Sequence, residues 1–346
     1  MASPEVSVIV VNWDRRELLR DCLRSLARQH GVGFEVILVD NGSRDGSVEM
    51  AEAEFGRTGL FPLHIVRNAR NVGFCRANNQ GIAASRSEFV ALLNNDAEAA
   101  PGWLAALRRA FDYGADVGMA ACKILLKREP ERIDKVGHLI YLDGQNRGRG
   151  TGELDRGQYQ RVEEVLWPDG CAAMYRRRML EEIGGFDEDF FAYGDDAELG
   201  LRARLAGWRC LYIPDAVVWH HRGATLGLTS ARRLMLIERN RVLLAVKLFP
   251  WSLLALNPLY FAARLAAGAW AALHGRGEIA RHRGIAGKFR AAGALLAGDL
   301  AALPLIPRML LKRHKLRRVR RLNDAQLKRL ILQHRIRLSE LTERAA

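Results

Sequence analysis

Four apolar runs in the first hundred residues end in polar clusters: Asn12; Asp40-Asn41-Gly42-Ser43; Arg67-Asn68; and Asn94-Asn95-Asp96. Amides and carboxylates of this kind make good turns after strands, because their side chains hydrogen-bond nearby backbone. They also sit where open α/β sheets place ligand groups, at the carboxyl ends of strands. Further along, Asp195 and Asp196 open a helical pattern, where the macrodipole favours ionised carboxylates. Asp195 and Glu198 are spaced to form a capping-box-like pair, which leaves Asp196 unclaimed. His220 and His221 close another apolar run. A histidine pair there fits a solvated strand end as well as a metal site.

The elements that must carry these groups can be read from periodicity. "EVSVIVVNW" (5–13) is a strand, and the following helix places Leu19, Cys22, Leu23 and Leu26 on one face. "FEVILVDNGS", a helical stretch from 45 to 55, "LHIVRN", a helix over 73–85 opened by a glycine, and "EFVALLNND" continue the alternation. Near-continuous Val, Ile and Leu runs in β-α-β-α-β-α-β order predict an α/β fold with a mostly parallel sheet covered on both faces. The polar strand ends then converge on one edge. Residues 115–192 lack a clear period, and Gly-rich "DGQNRGRGTG" (143–152) reads as a loop. Residues 193–208 read as a helix with its start, and 210–227 as strand, turn, strand and loop.

Charge divides the chain. Residues 1–230 carry 29 Lys and Arg against 33 Asp and Glu, whereas residues 231–346 carry 24 against 6, so a body of −4 adjoins a third of +18. Two regions follow: a catalytic-looking domain over 1–230 and a basic, apolar-rich helical region over 231–346. The basic third points to an anionic partner. No aromatic-interleaved basic motif or reader signature suggests nucleic acid. Five widely spaced cysteines without a C-x-x-C pair suggest neither a disulfide framework nor a structural zinc site and fit a reducing compartment. "MASPEVSVIV" has no basic segment before its strand, so no secretory leader is expected.

Six ordered motifs resemble the family 2 glycosyltransferases of the GT-A fold, in particular their rhamnosyltransferase-like branch: "SVIVVNW", "ILVDNGSRDGS", "RNARNVGFCRANNQGI", "LLNNDAE", "GGFDEDFFAYGDDAELGLR" and "VVWHHRGATLG". The resemblance covers residues 5–230 and implies sugar transfer with inversion from a nucleotide-diphosphate donor. It makes Asp96 the ligand of a divalent cation, Mg²⁺ or Mn²⁺, in an Asp-x-Asp-type motif whose first acid is replaced by Asn94. His220, five residues before Thr225, would complete that metal site. Asp40 would hydrogen-bond the donor's pyrimidine, with Asn12 lining the same pocket; an Asx turn is the alternative for Asp40. Asn95, Gly73, Asn78 and Arg76 belong to donor-side motifs. Asp196 is expected to be the general base, with Asp195 as runner-up, and Asp187 and Glu188 to lie on the acceptor side. The implied donor is dTDP-rhamnose or a UDP-sugar, and the acceptor a glycan or lipid-linked saccharide in cell-surface polysaccharide synthesis. A non-catalytic nucleotide-sugar-binding or scaffold protein of a glycan-assembly complex is the alternative.

In the basic third, residues 248–273 are apolar apart from Arg264, but Pro250 and Pro258 interrupt them. A second stretch, 291–311, is broken by Asp299, Pro304 and Pro307, and "KRHKLRRVRR" (312–321) follows. The pattern suggests helices lying on an anionic cytoplasmic membrane face, with the protein peripheral to it. The alternative is that these stretches pack on the body or on another subunit of a homo-oligomer.

Overall fold

The computed structural model describes residues 4–56, 59–222, 230–274 and 284–340. Strand β1 (Val6–Asn12), helix α1 (Arg16–Leu26), β2 (Phe34–Asp40), α2 (Ser47–Phe55), β3 (Leu63–Arg67), α3 (Phe74–Ala84) and β4 (Phe89–Leu93) follow in the expected alternation. β1 pairs in parallel with both β2 and β4, and β2 with β3, with Asn12 beside Asp40 and Asp40 beside Arg67. The polar strand ends therefore do share one edge.

The sheet continues with β5 (Ala97–Ala99), β6 (Val117–Leu126), β7 (Ile133–Lys135), β10 (Glu163–Val165), β11 (Ala172–Arg176) and β12 (Arg209–His220); β8 (His138–Ile140) and β9 (Asn146–Gly148) form a separate hairpin. Among the described residues the main strand order is β10-β12-β6-β11-β4-β1-β2-β3. The β1–β4 half is parallel, and β11 enters antiparallel between β4 and β6. Val6, Val8 and Val10 point to one face, with Leu19, Leu23 and Leu26 of α1 and Trp103, Leu104 and Leu107 of α4 (Trp103–Arg109); Ile9, Ile37 and Val39 point to the other. Burial on both faces is why these strands read as unbroken apolar runs.

The structure departs from the sequence reading in two places. Residues 210–220 form one strand rather than two, because the turn-like Pro214-Asp215 is absorbed in a bulge between Ile213 and Val217. Proline cannot donate to a ladder, and a bulge removes that demand. The Gly-rich 143–152 segment is not wholly loop, since it supplies β9 of the hairpin.

Helix α5 (Arg177–Ile183) and α6 (Asp195–Leu205) lead to the C-terminal helices: α7 (Ala231–Leu248), α8 (Trp251–Ala255), α9 (Asn257–Leu273), α10 (Gly284–Ala302), α11 (Ile306–Lys315) and α12 (Asp324–Gln333). Leu243, Leu244 and Leu248 of α7, Met309 of α11 and Leu327 of α12 belong to the same apolar core as Trp167 and Leu201, so the core is continuous across residue 230. Helix α10 buries its small residues, Ala291 and Ala294, and turns large ones outward: Phe289 is 73% exposed and Leu296 61%.

Candidate active site

The strand-end groups are linked into one polar chain. The Asp40 carboxylate accepts from the Gly42 and Ser43 amides at 3.1 and 2.9 Å, the Asx turn that its sequence allows, and from Asn12 Nδ2 at 3.2 Å. Asn12 Oδ1 in turn accepts from Asn95 Nδ2 at 2.7 Å. Three strand ends, those of β2, β1 and β4, are thereby locked together beneath a cavity of about 730 Å³. Asn12 and Asp40 are buried and do not line this cavity; Val11, Trp13, Asn41 and Asn95 above them do.

Gly73, Asn94, Asn95, Asp96, Asp195, Asp196 and His220 all face the cavity. Arg76, Asn78, Asp187 and Glu188 do not line it. Arg76 is exposed, and Asn78 is buried with its amide donating to Phe74 O within α3 at 2.9 Å. Asp187 is an internal tie, paired with Lys247 Nζ at 2.6 Å and with Lys312. Burial opposes its ionisation, but Lys247 and Lys312 outweigh this and hold its pKa down to about 2. Glu188 is exposed, within 3.3 Å of Asn79 Nδ2.

Asn94-Asn95-Asp96 do make a turn, with Ala97 N donating to Asn94 O at 3.0 Å, and the same turn aims Asp96 at β12. β5 pairs with β12 so that Ala97 lies opposite His220, leaving Asp96 Oδ1 3.5 Å from His220 Nε2. The other ring nitrogen, Nδ1, is 2.8 Å from Asp134 Oδ2. Burial raises the cost of a charged Asp96, but the contact with His220 outweighs it and its pKa lies below the usual value. With the ring neutral and its proton on Nδ1, Asp134 would hold that N–H and leave Nε2 to a ligand, the supporting arrangement of metal-binding histidines. Asp96 and His220 thus suit a divalent cation, an oxygen and an imidazole ligand on one cavity wall. Thr225 lies outside the described residues.

The capping-box pair does not form. Gly194, at φ 71°, caps α6, while Glu198 is held by Arg202 at 2.7 Å and Lys247 at 2.6 Å. Asp196 is left directed at the cavity, its oxygens accepting from Ala197 N at 2.8 Å and Gly170 N at 3.3 Å. Burial, reinforced by the adjacent Asp196, pushes Asp195 well up. Asp196 is raised too, by burial first and then Asp169, with His138 opposing.

Sequence reading missed His138, Asp169, Lys135 and Asp134. His138, Asp169 and Asp196 offer ligand atoms within 4.8 Å of one another. Lys135 Nζ already lies 2.5 Å from Asp169 Oδ2, and His138 Nε2 2.9 Å from the same oxygen. An ammonium thus supplies the positive charge there, which favours the Asp96–His220 wall for a metal.

The chain is similar to known glycosyltransferases in sequence and in fold. It is 27% identical over 248 residues to the N-acetylglucosaminyl-diphospho-decaprenol L-rhamnosyltransferase of Mycobacterium tuberculosis, covering 66% of this chain and 79% of that protein. It is 29% identical over 232 residues to the O-antigen biosynthesis protein RfbC of Myxococcus xanthus, 64% of this chain but 18% of that protein. With the uncharacterized protein y4gI of Sinorhizobium fredii it shares 29% over 244 residues, 65% of this chain and 25% of that protein. Among solved structures, GalNAc-T7 with UDP, GalNAc and Mn²⁺ superposes with a TM-score of 0.60 at 15% identity, over 77% of this chain and 51% of that one. The mannosyltransferase PcManGT of Pyrobaculum calidifontis, with GDP-Man and Mn²⁺, gives 0.52 at 19% identity, over 92% and 86%. These likenesses bear out the GT-A fold and the rhamnosyltransferase-like resemblance. The family described as Glycosyl transferase family 2 matches residues 7–184, just over half of the sequence, and the chain belongs to that family.

Proposed function

We propose that this glycosyltransferase moves a sugar, rhamnose or a similar hexose, from a dTDP- or UDP-linked donor to a lipid-linked acceptor, with inversion, during cell-surface polysaccharide synthesis. The observation that carries the reading is that Asp96 with His220 and Asp196 face one cavity, as separate groups suited to separate tasks. The donor's base would lie at the Trp13 and Asn41 end, where a partly exposed indole offers a stacking face. Asp96 and His220 would hold a divalent cation against the diphosphate, which neutralises charge on the leaving group. Asp196 would take the acceptor hydroxyl's proton as that oxygen bonds to the anomeric carbon and the bond to the diphosphate oxygen breaks. A carboxyl whose pKa is raised by burial is a better proton acceptor than an ordinary one.

The far end of the cavity supports an amphipathic acceptor. Leu234, Ile237 and Leu244 of α7, Leu265 of α9 and Ala291 and Leu295 of α10 line it, together with the charged Arg232, Arg233, Glu238, Arg241 and Arg264. The Mycobacterium tuberculosis relative is named for a lipid-diphosphate-linked acceptor. The helical run Ala286–Arg318 is long and apolar enough to cross a bilayer, and 22% of its most apolar window is buried. Its proline breaks and the adjoining basic run suit a helix lying along the inner membrane face. Transfer assays with dTDP-rhamnose and UDP-sugars, with and without Mn²⁺ or Mg²⁺, test the reading: turnover should require the cation, and full activity in excess chelator would remove the metal from it.

A further inference from the structure

The segment leading into α6 has an unusual backbone. Phe191 sits at φ 64°, ψ −59°, and Ala192 N donates to Phe190 O at 2.7 Å, closing a γ-turn of the rare positive-φ kind. Tyr193 follows at φ 68° and Gly194 at φ 71°. Only Gly adopts such angles readily, so surrounding groups must hold Phe191 and Tyr193 there.

Those groups come from two directions. Phe191 O accepts from Phe74 N and Cys75 N, in the first turn of α3, at 2.8 and 3.2 Å. From α7, the buried Asn240 donates through Nδ2 to Phe190 O at 3.0 Å, Ala192 O at 2.9 Å and Tyr193 O at 2.6 Å. Arg239 beside it donates to Asp189 O and Phe190 O at 3.0 and 2.9 Å, and its Nε to Asn240 Oδ1 at 3.0 Å. Every carbonyl from Asp189 to Tyr193 is therefore engaged by a donor from α3 or α7.

We propose that Asn240, braced by Arg239, is a positioning residue for Asp196: it holds the strained 190–194 loop in the conformation that directs the head of α6 into the cavity. The proposal rests on Asp196 as base. No step passes through Asn240 itself. Its Nδ2 faces only oxygen acceptors, so a leucine of similar size would leave buried carbonyls unpaired, and a carboxyl would donate only while protonated.

The test compares Asn240→Leu and Asn240→Asp with the parent chain in kcat, donor affinity and hydrogen–deuterium exchange over residues 187–196. Asn240→Leu should lower kcat by roughly tenfold to a hundredfold while the affinity for nucleoside diphosphate with Mn²⁺ stays within about twofold of the parent, and its loop amides should exchange faster. Asn240→Asp should recover kcat relative to the parent as pH is lowered, because the introduced carboxyl regains its proton. Unchanged exchange in the loop overturns the proposal whatever the activity does. So does a parallel fall of kcat and donor affinity, which would signal general damage to the fold. Because exchange does not depend on turnover, an inactive parent chain would count against the functional reading and leave the exchange result to judge the loop.

Discussion

The adjacent carboxyls at the head of α6 differ in what faces them. Asp196 meets the Gly170 amide and lies 3.5 Å from His138 Nε2, whereas Asp195 is buried against Asp196 and is pushed well above the ordinary carboxyl range. Asp196→Asn, which keeps the shape and removes proton acceptance, should cut transfer by about 10² or more with donor binding retained; Asp195→Asn should cost less. If the order is reversed in steady-state kinetics, the base has been assigned to the wrong residue. The raised Asp196 also fixes the sign of the pH response. With Asp196 as base, transfer would require the ionised form, so the rate should fall as pH drops through a pKa above the ordinary carboxylate value of about 4. His138 opposes that rise, so His138→Gln should move the limb to higher pH in a pH–kcat profile. With Asp96 and His220 as the cation's ligands, Asp134→Asn behind His220 should weaken cation affinity by about 10–100-fold, read by titrating Mn²⁺ into the activity assay.

At the scale of elements, what was legible depended on length and burial. β1, β2 and β4 are five to seven residues long and largely covered on both faces, and β3 is a five-residue edge strand left half-exposed; each left an apolar run that ends in a polar cluster. β7, β8, β9 and β10 are three residues each, too short to show a period, and Asp134, Lys135 and His138 ride on the first two of them. Asp169 sits in "WPDG", which by itself reads only as a turn. Of the residues that motif position singled out, Asp96, Asp195, Asp196 and His220 face the cavity, the side chains of Asn12 and Asp40 are engaged with protein partners beneath it, and Asp187 pairs with lysines far away in sequence. Gly73 shows how an element enters the site. Its φ is +90°, and an added Cβ would lie 2.5 Å from Phe191 Cδ2. Gly73→Ala should therefore destabilise the protein by about 1–3 kcal/mol in thermal or denaturant unfolding and disturb the 190–194 loop at the same time.

For the molecule as a whole, the basic third serves both as cavity wall and as surface. Helices α7, α9 and α10 line part of the cavity, while Leu259, Trp270, Phe289 and Leu300 are exposed, and the same third carries a ten-residue run with seven Lys and Arg. Such side chains on an anionic surface contribute roughly 1 kcal/mol each, and the apolar ones make release by salt incomplete. The full chain should sediment with anionic vesicles and less with neutral ones, and Phe289→Glu with Leu300→Glu should weaken that retention; equal behaviour of variant and parent would assign these helices to packing or oligomerisation. The continuous core makes these point changes a cleaner test than truncation near residue 230. Sugar transfer with inversion is tested by NMR of the product formed from dTDP-rhamnose or a UDP-sugar, a polyprenyl-diphosphate-linked saccharide and Mn²⁺. One glycosidic bond should form per nucleoside diphosphate released, with the anomeric configuration opposite to the donor's. Retained configuration, or no turnover of any donor in the panel, would contradict it.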